Sequence, residues 1–237
     1  MNYFYFYIKI ISMPTKIEKS TIKFLNDLAK NNNRDWFKAN KERYDVAYAN
    51  AKAFMADLEK AMQKHDTIEK SKLFRVYRDV RFSKDKTPYN ADLRFSFTRE
   101  GAYRRGGYYL KIGAKESFLA GGFWRPEPKD LKLIRSHLAV DAKPLRKIVA
   151  SKRFKDNFGI LEGEKVKSAP KGYIKEHPNI DLLRHKSFTV DKKLDMKLIT
   201  SDDLIKEVNK GYKAMRQYFD YMSEILTHDL NGVPLYG

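Results

Sequence analysis

The sequence predicts a single α+β domain, with helices at both ends of the chain and an antiparallel sheet drawn from its middle. Three observations carry that reading. Before residue 65 and after residue 128, apolar residues recur at three- and four-residue spacing, the period of a helix with one buried face. Between residues 93 and 124 the period drops to two, in aromatic runs separated by glycine-bearing turns. No repeat and no long Pro/Gly/Ser linker divides the chain, so helices and sheet are expected to share one core over residues 13–230, with 231–237 as a tail.

Taken in order, Ser20 is the predicted N-cap of a first helix, TIKFLNDLAK, which buries Ile22, Leu25 and Leu28. The cluster Asn31-Asn32-Asn33 ends it. A long helix is then predicted from Arg34 to Lys64, on the spacing of Trp36, Ala47, Ala51, Phe54, Leu58, Ala61 and Met62. The segment Phe74 to Asn90, FRVYRDVRFSKDKTPYN, reads as strand-like and lies beside a meander of LRFSFT (93–98), GYYLKIG (107–113) and SFLAGGFW (117–124). Gly106-Gly107 and Gly113-Ala114-Lys115 supply its turns. After Pro126 and Pro128, Leu131, Ile134 and Leu138 mark one short helix. Asp141 caps a second that carries Leu145, Ile148 and Val149, and Phe154 with Phe158 mark a third. The lysine-rich stretch 163–179 reads as loop, SFTV (187–190) as an edge strand, and Ser201 as the cap of a long last helix.

Composition narrows the function classes. The chain has 237 residues, 42% hydrophobic and 14% aromatic, which is enough to build a core although 33% are charged. It has no cysteine, which excludes disulfides, thiolate nucleophiles and Cys-ligated metals; a cytoplasmic setting is expected. The formal net charge is +18, and such a field favours polyanions or anionic small molecules. Residues 72–115 hold 12 basic and 4 acidic side chains, so the excess concentrates around the 74–90 segment. The opening MNYFYFYIKIIS is too short an apolar run to span a bilayer, which needs about 20 residues. Met13-Pro14 is expected to start the folded chain, with residues 1–12 an extension, and no membrane association is expected.

The chemistry of FRVYRDVRFSKDKTPYN follows from strand alternation. Phe74, Val76, Val80 and Phe82 would share one face with Arg78, and Arg75, Tyr77, Asp79, Arg81 and Ser83 the other. Arg75 and Arg81 would then present two guanidinium forks to one anion, oriented by Asp79. Arg78, on the apolar face, would need a partner from elsewhere. Lys84 and Lys86 flank the group in a turn where Pro88 holds Thr87 extended. Asp79 and Asp85, surrounded by cations, stay ionised and suit orienting or base roles. The same residues also fit an internal Arg–Asp network that ties strand to helix, and both readings stand at this point.

Other signals are weaker. Ser83-Lys84-Asp85-Lys86 matches S-x-x-K without the partner motifs that give it meaning. Glu176-His177 with Asp181 and His185 is the only metal-like grouping, and Pro178 breaks its helical face. Neither G-x-G-x-x-G nor G-x-x-x-x-G-K-[ST] occurs, so the sequence predicts no metal and no nucleotide cofactor through these motifs. RFSFTREGAYRRGGYYLK interleaves basic and aromatic residues as single-strand nucleic-acid binders do, but lacks an RRM signature.

Two stretches also resemble a known family. Asn33-Arg34-Asp35-Trp36-Phe37 with Asn40-Lys41 and Tyr44, and then RVYRDVRFSKDKTPY, are similar to signatures of the family catalogued as domain of unknown function 2461. Glu116-Ser117, Gly121-Gly122 with Trp124, Ala169-Pro170-Lys171-Gly172, His177-Pro178 and Lys186-Ser187-Phe188 fit the same resemblance, which runs from about residue 17 to 228. It implies a soluble single-domain bacterial protein and carries over no catalytic residue. The leading expectation is an anion-binding cleft formed by Arg75, Arg78, Arg81, Lys84 and Lys86, with Arg34, Asn40 and Lys171 contributing. Asp79, Asp85, Tyr89 and His177 are the candidates for acid–base work, and whether catalysis follows is open. A small anionic ligand ranks ahead of nucleic acid as partner, a purely structural network is the third reading, and the sequence assigns no oligomeric state.

Overall fold

The computed structural model describes residues 15–235, so the expectations for residues 1–12, for a start at Met13 and for the last two residues lie outside the described residues. Three helices open the described chain: α1 (Lys19–Lys30), α2 (Arg34–Ala39) and α3 (Lys41–Met62). The N-cap of α1 is Glu18 and not Ser20. Its first turn is closed from outside, where Asn50 Oδ1 of α3 accepts from Glu18 N (3.0 Å) and Thr21 Oγ1 (2.9 Å). Asn33 caps α2 by accepting from Trp36 N at 2.9 Å. The single helix predicted over 34–64 is broken at Asn40. Its side chain donates to Trp36 O (2.9 Å) and accepts from Arg43 Nη1 (2.9 Å), and such local bonds compete with the helical ladder.

Strand β1 is Ile68–Leu73, ahead of the segment expected to be strand-like. Only its two ends, Ile68 and Leu73, are buried, so IEKSKL carries almost no period-two signal. Residues 74–90 instead form a loop whose only described pairing is an isolated bridge between Tyr77 and Tyr89. The meander follows as expected: β2 (Asp92–Arg99), β3 (Gly107–Gly113) and β4 (Ser117–Phe123). With β5 (Phe188–Lys193) they form an antiparallel sheet ordered β1-β2-β3-β4-β5, with β5 at an edge. Helices α4 (Pro128–Val140), α5 (Lys143–Ala150), α6 (Lys152–Phe158), α7 (Ile180–Leu183), α8 (Met196–Ile199) and α9 (Leu204–Thr227) complete the described chain, an α+β fold. Asp203 and not Ser201 caps α9; Ser201 Oγ donates to Leu198 O (2.9 Å) and closes α8.

Helices pack on one face of the sheet. Phe54 of α3 meets Phe95 edge-on at 5.8 Å, and Tyr108 lies 4.9 Å from Phe219 of α9. α9 approaches β4 closely because both elements offer a glycine there. A methyl group on Gly211 would touch Leu119, and one on Gly121 would strike Met215 and Phe219. Fully burying each such aromatic or aliphatic side chain contributes roughly 1.5–3 kcal/mol. The opposite face, with Tyr109, Lys111, Phe118 and Thr189, is only half-buried.

One ionic group lies inside this core. Arg99 of β2 donates from Nε to Asp66 Oδ2 (2.7 Å) and from Nη2 to Asp220 Oδ1 of α9 (2.6 Å). The Tyr108 hydroxyl donates to Asp66 Oδ2 at 2.6 Å, and burial together with that bond pushes its pKa upward. The side chains of Asp66 and Arg99 are 0% and 1% exposed, so the pair joins the approach to β1 to the end of β2 away from water, while Asp220 on α9 is half exposed.

Candidate functional site

The 74–90 loop is anchored at both ends by its own sequence. Val76 and Tyr89 are buried, Arg78 N donates to Pro88 O (2.9 Å), and Asn90 N donates to Val76 O (2.7 Å). Because the segment is not a strand, the expected division into two faces does not occur. Phe82, assigned to the apolar face, is 96% exposed at the far part of the loop.

Arg78 finds its partner inside the loop. Its guanidinium donates to Asp85 Oδ2 (2.6 Å), Thr87 O (3.1 Å), the Thr87 hydroxyl and Ser83 Oγ (3.4 Å). Lys86 Nζ donates to Val80 O at 3.0 Å. Arg81 engages Asp79 through Nη2 (2.6 Å) and Nε (2.9 Å), leaving it bound to a carboxylate instead of standing beside Arg75. The Arg81 side chain and main-chain amide hold the Asp79 carboxyl below its ordinary range. The Thr87 amide, the Arg78 guanidinium and the Thr87 hydroxyl lower the Asp85 pKa to about 2.

Asp85 therefore acts as the clasp of the loop, and its depressed pKa sets the sign of the pH effect. The contribution is present above the ordinary carboxylate value of 3.8 and is lost as the pH falls through about 2. The Thr87 amide resonance should hold its native position above pH 3.8 and move only on further acidification. Arg78→Ala should speed tryptic cleavage after Arg81 and Lys84 about tenfold or more, because the population of the open loop sets that rate. The thermal midpoint should move by only a few degrees, since the clasp lies outside the core.

The second arrangement joins this loop to α2 and α3. Asn32 Nδ2 donates to Tyr89 O (2.8 Å) and Asn32 Oδ1 accepts from Tyr89 N (3.1 Å), a bridge between residues 57 apart in sequence. Phe37 stacks on Tyr89 with centroids 4.1 Å apart and an interplanar angle of 15°. Tyr77 meets Phe37 (5.5 Å) and Tyr89 (5.4 Å) edge-on, and Tyr44 lies 5.1 Å from Phe37. The two stretches that carry the resemblance, 33–44 and 75–89, thus meet in one aromatic cluster.

Burial, reinforced by nearby Tyr48, Tyr77 and Asp45, pushes the Tyr44 phenol up to about 12, while Arg75 pulls it back. Burial also raises Tyr89, with Arg34 opposing. Arg34 and Arg75 are both exposed, sit within the field of these phenols, and form no ion pair with a described residue. Lys84 is exposed nearby in sequence and makes no described hydrogen bond.

The remaining candidates lie elsewhere. Asn40 is a helix joint whose partner Arg43 pairs with Asp27 (2.6 Å). Lys171 stands exposed in the Pro170–Tyr173 turn, and His177 Nδ1 accepts from Asn179 N at 3.1 Å. No described hydrogen bond, ion pair or ring contact links either of them to 74–90. The Glu176–His185 grouping disperses: Asp181 pairs with Arg146 (2.7 Å), and buried His185 directs Nδ1 to Ser187 O (3.0 Å) with its pKa pushed down by burial. Among the described residues no group of three His, Asp or Glu is placed to hold a metal. Phe95, Phe97 and Tyr108 of the basic, aromatic stretch are core residues, not a stacking platform.

Sequence reasoning missed a cleft of about 680 Å³ on the open face of the sheet, bordered by Tyr109, Phe118 and Trp124. Period-two alternation does place Tyr109 and Phe118 opposite the buried Tyr108 and Leu119, so the signal was present and unused. Among the described residues no helix is long and apolar enough to cross a membrane. A family model described as Conserved hypothetical protein (DUF2461) matches residues 20–221. Neither the curated proteins nor the solved structures contain a match.

Proposed function

The chain belongs to the DUF2461 family of conserved hypothetical proteins, and from that premise we propose that it binds a phosphate- or carboxylate-bearing ligand where α2 and α3 meet the 74–90 loop. The observation that carries this reading is the pair Arg34 and Arg75: two exposed guanidiniums, Arg34 near the Tyr89 phenol and Arg75 near that of Tyr44, neither in an ion pair with a described carboxylate. A planar guanidinium suits bidentate binding of phosphate or carboxylate. Tyr44 and Tyr89 have raised pKa values and stay protonated at neutral pH, so they can donate to an anion and are unsuited to act as bases. Lys84, exposed and without a described ion pair, adds to the attracting field. Asp79 and Asp85 are occupied by Arg81 and Arg78 and serve to hold the loop.

The test is calorimetric titration with inorganic phosphate, pyrophosphate and citrate. Arg34→Ala and Arg75→Ala should each weaken the tightest of these by about tenfold or more, since a hydrogen bond to a charged group contributes about 1.5–3 kcal/mol. Unliganded stability should stay within about 0.5 kcal/mol, as for other exposed sites. Unchanged affinity in both variants, or no binding of any of the three anions, rejects the reading. A second reading, the internal Arg–Asp network, is favoured at Arg78 by its contacts within the loop. It makes Arg78 a structural residue and leaves Arg34 and Arg75 free for the ligand.

A further inference from the structure

We propose that the open face of the sheet is a carbohydrate-binding groove, a site independent of the arginine–tyrosine junction. Its floor is bare backbone. Gly107, Ala120 and Gly122 line the cleft, so a ring can lie flat against β3 and β4. No side chain can grow from Gly122, because a Cβ there would stand 2.3 Å from Phe188 O. The walls are aromatic. Tyr109 and Phe118 sit with centroids 6.1 Å apart and planes tilted by 36°, and Trp124 is 69% exposed where β4 ends. A large indole left open to water at one end of the cleft, with the Arg125 guanidinium 5.5 Å from its centroid and two half-buried rings further along, fits a binding surface.

Charge selects the ligand class. The chain carries +18, yet the charged side chains that line this cleft are two carboxylates, Glu116 and Asp191, against one cation, Lys193. Lys111, at 2.8 Å from Glu116, holds that carboxyl low and keeps it an ionised acceptor at neutral pH. Asp191 is exposed and makes no described hydrogen bond. Carboxylates only accept hydrogen bonds, so they call for donors; with Glu116 paired to Lys111 and the Arg125 guanidinium 5.5 Å from the Trp124 ring centroid, Asp191 is the carboxylate without an ion-pair partner among the described residues. The ligand that meets aromatic walls, a flat floor and acceptor-only rims is a sugar, with a C–H face for the rings and a border of hydroxyls for the carboxylates. The seven residues of β4 run about 20 Å at the rise of a strand, which suits an oligosaccharide over a single ring. A nucleotide would stack equally well but would bring its phosphates against Asp191, the carboxylate of this cleft without an ion-pair partner among the described residues.

The experiment follows Trp124 emission in a Trp36→Phe background, because the chain has two tryptophans. Calorimetry on the unmodified chain repeats the titration without that substitution. The probes are cellohexaose, maltohexaose, chitohexaose and a six-residue oligouridylate. At least one neutral hexasaccharide should give a saturable change with little salt dependence. Tyr109→Ala and Asp191→Asn should each weaken it by about tenfold or more, whereas Arg34→Ala and Arg75→Ala should leave it unchanged. No response to any of the three saccharides at millimolar concentration overturns the proposal. So does tighter, salt-sensitive binding of the oligouridylate, or indifference to both groove substitutions. Failure of the phosphate titrations would leave this result untouched.

Discussion

Asp66→Asn is expected to destabilise the domain by about 3–5 kcal/mol, the cost of stranding one partner of a buried ion pair. The substitution keeps the shape of the side chain and removes its charge. Arg99, 1% exposed, then keeps Arg105 O (3.0 Å) and Ser223 Oγ (3.3 Å), but its remaining carboxylate partner, Asp220, is half exposed to solvent. The Tyr108 hydroxyl loses a charged acceptor at 2.6 Å, and Arg216 Nη1 loses a neighbour at 3.5 Å. At about 2–4 °C per kcal/mol for a chain of this size, the thermal midpoint should fall by roughly 10 °C. Urea denaturation followed by circular dichroism measures the loss directly. Replacing both partners, Asp66→Leu with Arg99→Met, should recover a large part of it, because no charge then remains buried without a counter-ion. A loss below about 1 kcal/mol in the single variant would place it among ordinary substitutions and show that water reaches the pair.

Gly122→Ala should cost at least about 2 kcal/mol, from a backbone conformation disfavoured for other residues together with overpacking. Gly122 has φ +132°, and its added Cβ would lie 2.3 Å from Phe188 O and 2.8 Å from Thr189 Cα, both backbone atoms of the paired strand. A flexible side chain could swing aside; a paired strand can move only by giving up its ladder. The variant should therefore lose hydrogen-exchange protection in β5 before it does in β2 or β3. Gly172→Ala is the control, with φ +91° and open space around the added methyl. Its cost should be that of backbone strain alone, about 1–2 kcal/mol. Equal losses in the two variants would mean that the strand contact does not matter.

The parts of the fold that were legible in sequence are those whose burial pattern is local. GYYLKIG and SFLAGGF alternate because each strand has one buried face, and residues 204–227 show the helical period because one stripe faces the sheet. The 74–90 loop misled for a physical reason. RVYRDVRFS alternates as a strand would, but Arg78 and Arg81 bond to Asp85, Thr87 and Asp79 within the same loop, and such local bonds displace a ladder. β1 was hidden because Glu69, Lys70 and Lys72 are exposed and its buried residues are its two ends. The break at Asn40 was hidden because periodicity registers buried faces and not a residue whose side chain closes one helix while its backbone begins the next.

The site divides along the same line. Sequence alone determined which residue types are at hand: a basic block without cysteine or phosphate-loop glycines, beside aromatics that suit a sheet. Only the tertiary structure decided which of them stand free. Arg78 and Arg81 turn to carboxylates in their own loop, whereas Arg75 lies near Tyr44 and Arg34 near Tyr89, on segments joined by the Asn32–Tyr89 bridge. The Asp66–Arg99 pair and the open groove likewise belong to the folded chain. The reason is that a charge is satisfied by distance and not by sequence separation. Neighbouring residues can compete for a partner that the sequence shows, but long-range partners exist only once the sheet and helices have fixed where each side chain points.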